Sequence, residues 1–177
     1  MTTFAAVQGR PAQAARFLGL ALLGSALLAA SAQVSIPAWP VPATLQSLAV
    51  LLLGAFGGSR LGVAAVAAYL LEGALGLPVF AGGNAGPAAL MGPTAGYLIG
   101  FLPAAWLAGY ARGSLLRQSA VLLAAHLVLF VPGVLWLASF VGARALEAGF
   151  LAFLPATLVK TGLAVALLRA AGRLRQG

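Results

Sequence analysis

Ionisable side chains are so few in this chain that each can be weighed by itself: two glutamates, one histidine, one lysine and nine arginines. Three of them, Glu72, His126 and Lys160, fall inside apolar runs. An ionisable group at such depth is costly and as a rule faces a bundle interior or a water-filled cavity. Lys160 admits two readings: a cation for an anionic solute, held by Glu72 or by a hydroxyl such as Thr157, or one half of a structural ion pair with Glu72. Thr157 and Lys160 stand three apart and so share a helix face. His126 has no carboxylate near it in sequence. It reads as a buried imidazole bonded to a neighbouring helix in preference to a proton relay. Acid–base or covalent catalysis has little to work with. The chain has no cysteine, no paired carboxylates, no nucleophile elbow and no metal-ligand cluster. No catalytic residue, metal ligand or resident cofactor is assigned.

The uncharged polar residues suggest capture instead. Trp39, Thr44 and Gln46 border one connection between apolar runs, Phe80 and Asn84 lie in another, and Tyr97 follows in the next helix. Amides, hydroxyls and flat rings together suit a small heterocycle whose edges need donors and acceptors and whose faces need aromatic packing. The glycines of AGGNAGP around Asn84 permit unusual backbone angles. They do not form a phosphate-binding loop, since no strand and no lysine–threonine ending accompany them. Arg144 and Glu147, three apart, read as a solvated pair of little energetic value.

The elements that must position these residues follow from composition. Hydrophobic residues make up 62% of the 177 and charged ones 7%, which no water-soluble fold of this size can hide. The fold expected is an all-α integral membrane bundle of six transmembrane helices, forming one domain over 1–177 with both termini cytoplasmic. Apolar runs lie near 15–33, 44–58, 61–77, 89–111, 116–141 and 149–170, separated by Pro/Gly-rich breaks such as IPAWPVP and GGSR. Eight of the nine arginines (10, 16, 60, 112, 117, 169, 173 and 175) fall on one side of that stack and only Arg144 opposite. By the positive-inside rule that side is cytoplasmic. It takes in an N-terminal segment of about 1–14, while the connections near 34–43, 77–88 and 142–148 face outward. The first run, with Arg10, Arg16 and Ser31-Ala32-Gln33, also has features of a signal peptide. The net charge of +8 is thus explained by topology, not by nucleic acid. At about 1.5 Å per residue, Glu72 lies roughly 18 Å beyond Arg60, and Lys160 roughly 14 Å before Arg169. Both reach an outward-facing cavity. Small residues at Ala21, Ser25 and Ala29 form a stripe of the kind that admits a close helix partner, so docking of a partner protein is expected there.

Four strings in order, PVPATLQSLAVLLLGAFGGSRLG, YLLEGALGLPVFAGGNAG, GPTAGYLIGF and FLPATLVK, resemble the BioY family, the biotin-specific S components of energy-coupling factor transporters. The resemblance spans about 34–165. It implies six membrane helices, a biotin pocket near the outer face under the 34–43 loop, residence in the cytoplasmic membrane of a prokaryote, and docking onto a transmembrane coupling protein with two ATPases. ATP would then act only through those partners. By resemblance Asn84 and Lys160 match positions that contact biotin, and Gln46 and Tyr97 lie in motifs bordering the pocket. Lys160 would meet the carboxylate or brace the ring-binding residues. One departure stands out: where the family usually reads FLPGDLIK, Thr157 replaces an aspartate. A charge-assisted bond is about twice as strong as a neutral one, and Glu72 is the residue expected to restore a carboxylate beside Lys160. Three alternatives stay open: an S component for another vitamin, an intramembrane enzyme built on His126 or Lys160, and a structural membrane subunit.

Overall fold

The computed structural model describes residues 4–174, with side chains over 11–172. The side chains of Arg10, Arg173 and Arg175 lie outside the described residues, as does the backbone of 1–3. The chain is mostly helical. Helix α1 (Phe4–Gln33) begins ahead of the apolar run expected from residue 15, and a two-stranded hairpin, β1 (Ser35–Ile36) and β2 (Ala43–Thr44), follows it. The strands are antiparallel, with Ser35 opposite Thr44 and Ile36 opposite Ala43. The sequence predicts a loop there. Next comes α2 (Gln46–Ala74), then short α3 (Gly86–Ala89), α4 (Ala95–Ala108), α5 (Leu115–Val128), α6 (Phe130–Val141), the one-turn α7 (Ala145–Gly149) and α8 (Leu154–Leu174).

Helix α2 is folded back on itself. At Gly58 the backbone turns to φ 78°, ψ 166°, a conformation that a residue with a Cβ rarely adopts. The halves 46–57 and 59–74 run beside one another, so that Gly54 and Gly62 touch and the side chains of Gln46 and Tyr69 meet at the far end. These halves are the two short runs read at 44–58 and 61–77. A single glycine separates them, where the sequence suggested a four-residue break. Glycines also set the contact with α4: Gly54 packs on Ala105 and Ala108, and Gly109 on Ser59. With no side chain between them, backbones approach closely and van der Waals contact holds the helices together.

Leu129 between α5 and α6 is itself helical, at φ −65°, ψ −26°, so 115–141 forms one rod that matches the run expected at 116–141. Ser114 caps its start, its hydroxyl accepting from the Arg117 N–H at 3.3 Å. Helix α4 is shorter than its run because Gly92 and Pro93 open the chain before it.

One core joins Leu28, Val50, Val66, Tyr69, Phe101 and Leu137, and a second joins Leu51, Ala108, Leu122 and Ala164. The outer surface stays apolar. Leu18, Leu23, Leu71, Leu116, Leu135 and Val159 are all exposed, which suits hydrocarbon as the surrounding medium and not water. By length and composition alone, Pro11–Gln33, Gln46–Ala74 with its bend at Gly58, and the stretch Leu115–Gly172 that runs through α5 to α8 suffice to cross a membrane, and Ala95–Ala108 is a shorter apolar helix.

Candidate functional site

A cavity of about 370 Å³ opens at the end of the bundle away from the Gly58 bend, a size in the range of small-molecule sites. Its wall draws on segments spread from the hairpin to α8. The β-hairpin supplies Pro40, Val41, Pro42 and Thr44, and the start of α2 supplies Gln46 and Ser47. The glycine-rich loop brings Phe80 and Asn84, α4 brings Tyr97 and Phe101, the α5–α6 rod brings His126 and Phe130, and α8 with the turn before it brings Phe153, Thr157 and Lys160.

Each polar group is held by a definable local cause. Lys160 Nζ donates to the Thr44 carbonyl at 2.6 Å and to Ser47 Oγ at 3.3 Å, which ties α8 to the hairpin and to α2. An ammonium has three protons, so one stays free for a ligand. Gln46, buried at the head of α2, donates through Nε2 to the Tyr69 hydroxyl at 2.6 Å and accepts at Oε1 from Thr44 Oγ1 at 3.1 Å. Its amide is thereby oriented before any ligand arrives. Asn84 donates to the Ala81 carbonyl at 2.7 Å, within a loop whose Gly82, Gly83 and Gly86 all take positive φ. The loop is pinned by Gln33 Nε2 on the Phe80 carbonyl at 3.2 Å. The glycines of AGGNAGP thus do what their composition suggested, turning the chain so that Asn84 borders the cavity. Tyr97 donates to the Gly149 carbonyl at 2.9 Å and lays its ring on Gly133.

The apolar part of the wall includes Tyr97 and the phenylalanines Phe80, Phe101, Phe130 and Phe153. Phe130 meets Tyr97 edge-on at 6.1 Å and Phe150 at 5.2 Å, and Phe80 meets Tyr69 edge-on at 5.4 Å. Such pairs fix ring orientation beyond simple burial. The result is a slot with flat faces, two prearranged amides, one available ammonium proton and the hydroxyls of Thr44, Ser47 and Thr157. It can hold a small molecule with apolar rings and several hydrogen-bonding edges.

Seven of the expected site residues therefore come together: Thr44, Gln46, Phe80, Asn84, Tyr97, Thr157 and Lys160. Trp39 does not join them. At 80% exposure it sits at the hairpin tip, and its neighbours Pro40 to Pro42 line the cavity in its place. Glu72 is not the partner of Lys160. It accepts a hydrogen bond from Ser25 of α1, while Lys160 is held by the Thr44 carbonyl and Ser47. The stripe of Ala21, Ser25 and Ala29 is corrected with it. Ala21 and Ser25 are buried inside the bundle, and Ala29 packs against its core. The close approach that these small residues allow is used by the chain's own α2 and not left open to a partner. His126 meets the expectation of a bond to a neighbouring helix, through Nδ1 and Thr161 Oγ1 at 2.8 Å. The sequence reading missed Ser47, Phe101, Phe130 and Phe153. Ser47 adjoins Gln46 and was legible as a second polar residue at a helix start, whereas the phenylalanines look like any other apolar residue in a membrane run.

Comparison with known proteins gives the chain its relatives. The profile of the BioY family matches residues 4–177. A probable biotin transporter BioY of Pyrococcus horikoshii is 40% identical over 152 residues, covering 85% of this chain and 93% of the relative. The biotin transporter BioY2 of Lactococcus lactis is 36% identical over 164 residues, covering 86% and 90%. The crystal structure of the S-component for biotin from an ECF-type ABC transporter superposes with a TM-score of 0.80 at 27% identity, covering 93% of both chains. The four motifs in order, the folded helices and the cavity they enclose all agree with this kinship, and the chain belongs to the BioY family.

Proposed function

We propose that the cavity binds biotin and that the chain is the substrate-capturing S component of an energy-coupling factor transporter, taking up biotin across a membrane. The observation that carries the reading is the cavity itself, with Lys160, Gln46 and Asn84 set between aromatic faces in a chain whose relatives are biotin transporters. Biotin offers a ureido ring, a thioether ring and a carboxylate on an aliphatic tail. The rings match the phenylalanine and tyrosine walls, and the polar ends match the amides and the ammonium.

The membrane arrangement follows the same reading. Six crossings are assigned to α1, the two halves of α2, α4, the α5–α6 rod and α8. Arg60, Arg112 and Arg117 line a cleft at the Gly58 bend, opposite the biotin cavity. Retention of positive charge on the cytoplasmic side then directs the cavity outward and both termini inward, in the cytoplasmic membrane of a prokaryote. The partners that fit an S component are a transmembrane coupling protein with two ATPases, through which ATP would drive uptake. The test is uptake of labelled biotin by biotin-auxotrophic cells expressing the chain with and without such partners. Accumulation that is lost in the Lys160→Ala variant supports the reading. Wild-type cells that take up no biotin under either condition refute it.

A further inference from the structure

We propose that His126 is a specificity-determining residue of the cavity, whose unprotonated Nε2 accepts a hydrogen bond from a ureido N–H of the bound ligand. This rests on the biotin reading above and adds to it a residue, a tautomer and the end of the ligand that it meets.

The tautomer follows from counting protons. Thr161 Oγ1 lies 2.7 Å from the Thr157 carbonyl, and a carbonyl can only accept. The single hydroxyl proton of Thr161 is therefore spent on its own helix, in the i to i−4 pattern open to threonine. The contact of Thr161 Oγ1 with His126 Nδ1 at 2.8 Å must then be donated by the imidazole. An uncharged imidazole has one N–H, so with Nδ1 protonated, Nε2 carries a lone pair.

Among the described residues that lone pair has no partner. His126 makes one polar contact, the bond to Thr161. Nor is Nε2 sealed in the core: among the described residues, the buried side-chain polar atom without a partner is Gln118 Oε1. His126 lines the cavity, and its ring stacks at 15° on Phe130, which lines it too. The lone pair is thus available to the cavity from a ring held by stacking on one side and by α8 on the other.

Ligand chemistry selects the partner. Ionised biotin has no donors except its two ureido N–H groups. A carboxylate placed at Nε2 would set lone pairs against each other. The corner bounded by His126 and Thr157 therefore takes the ureido ring, and the free proton of Lys160 faces the urea carbonyl there.

The chain has one histidine, which makes a direct test possible. Protein labelled with ¹⁵N-histidine, purified in detergent, is expected to show a protonated Nδ1 and a bare Nε2 without ligand, with the Nε2 resonance moving to the hydrogen-bonded position on adding biotin. His126→Asn keeps a donor where Nδ1 stands and loses the outer nitrogen. It should fold, and should bind biotin about tenfold more weakly. His126→Gln brings an amide oxygen out to the Nε2 position and should lose less. A ligand-free spectrum with Nε2 protonated, or with both nitrogens protonated, overturns the proposal. An Nε2 resonance unmoved at saturating biotin does so too, as does wild-type affinity in His126→Asn. Wild-type protein that binds no biotin would instead overturn the parent reading, while the ligand-free spectrum still decides the tautomer.

Discussion

Lys160 illustrates how far single residues could be read and where reading stopped. Its depth in the last apolar run marked it as a group facing a cavity, and the cavity is there. Its partners were not legible, because a backbone carbonyl 116 positions away and a serine hydroxyl leave no sign in sequence, whereas a glutamate does. With two protons committed within the chain, Lys160 both braces the wall and offers a donor. Lys160→Ala should therefore weaken biotin binding by about tenfold to a hundredfold, the range for hydrogen bonds to a charged group, as read by calorimetry on purified protein. Glu72 belongs to a different contact. Ser25→Ala takes the hydroxyl from its carboxylate and should cost about 1–3 kcal/mol of stability. A lowered thermal midpoint with unchanged biotin affinity is the expected result. A loss of affinity in that variant would mean that Glu72 acts on the site after all. Thr157→Asp restores a carboxylate near Lys160 and should tighten binding, since a charged acceptor outperforms a hydroxyl; equal or weaker affinity would show that the threonine is not a deficit in this cavity.

Among the elements, the doubled α2 was half visible. Two short apolar runs around GGSR were apparent, and their length was puzzling for membrane crossings. The answer lies in Gly54, Gly58 and Gly62, which let the two halves and α4 approach with almost nothing between them. Small residues in an alanine-rich chain mark possible contacts but not their partners, which is why Ala21 and Ser25 were assigned to an outside protein when they serve α2. A side chain added at Gly54 would meet the Ala105 carbonyl and the Ala108 methyl group. Gly54→Leu should therefore destabilise the bundle by about 1–3 kcal/mol or more, as overpacking does, measured as a drop in the thermal midpoint in detergent. The β-hairpin was not anticipated, because two-residue strands between prolines carry no periodicity. Its consequence for the site is definite: it presents Pro40 to Pro42 and the Thr44 carbonyl to the cavity, and leaves Trp39 outside.

At the scale of the molecule, composition pointed to the class of fold and arginine placement to the orientation we propose, since both depend on the whole chain's partition between lipid and water and not on any one contact. Arg60, Arg112 and Arg117 line one cleft, away from the cavity. The absence of cysteine allows the orientation to be checked without background. A single cysteine at Trp39 should react with a membrane-impermeant maleimide in intact cells, and one at Ser114 only after permeabilisation; the reverse would invert the topology. The central claim is that the outward cavity is a biotin site built around Lys160. It is tested most directly by isothermal titration of biotin into the purified chain in detergent, with Lys160→Ala alongside. Saturable one-to-one binding by the wild type, weakened at least about tenfold in the variant, is the predicted result. No heat of binding in a folded wild type, or equal affinity in the two proteins, would contradict it.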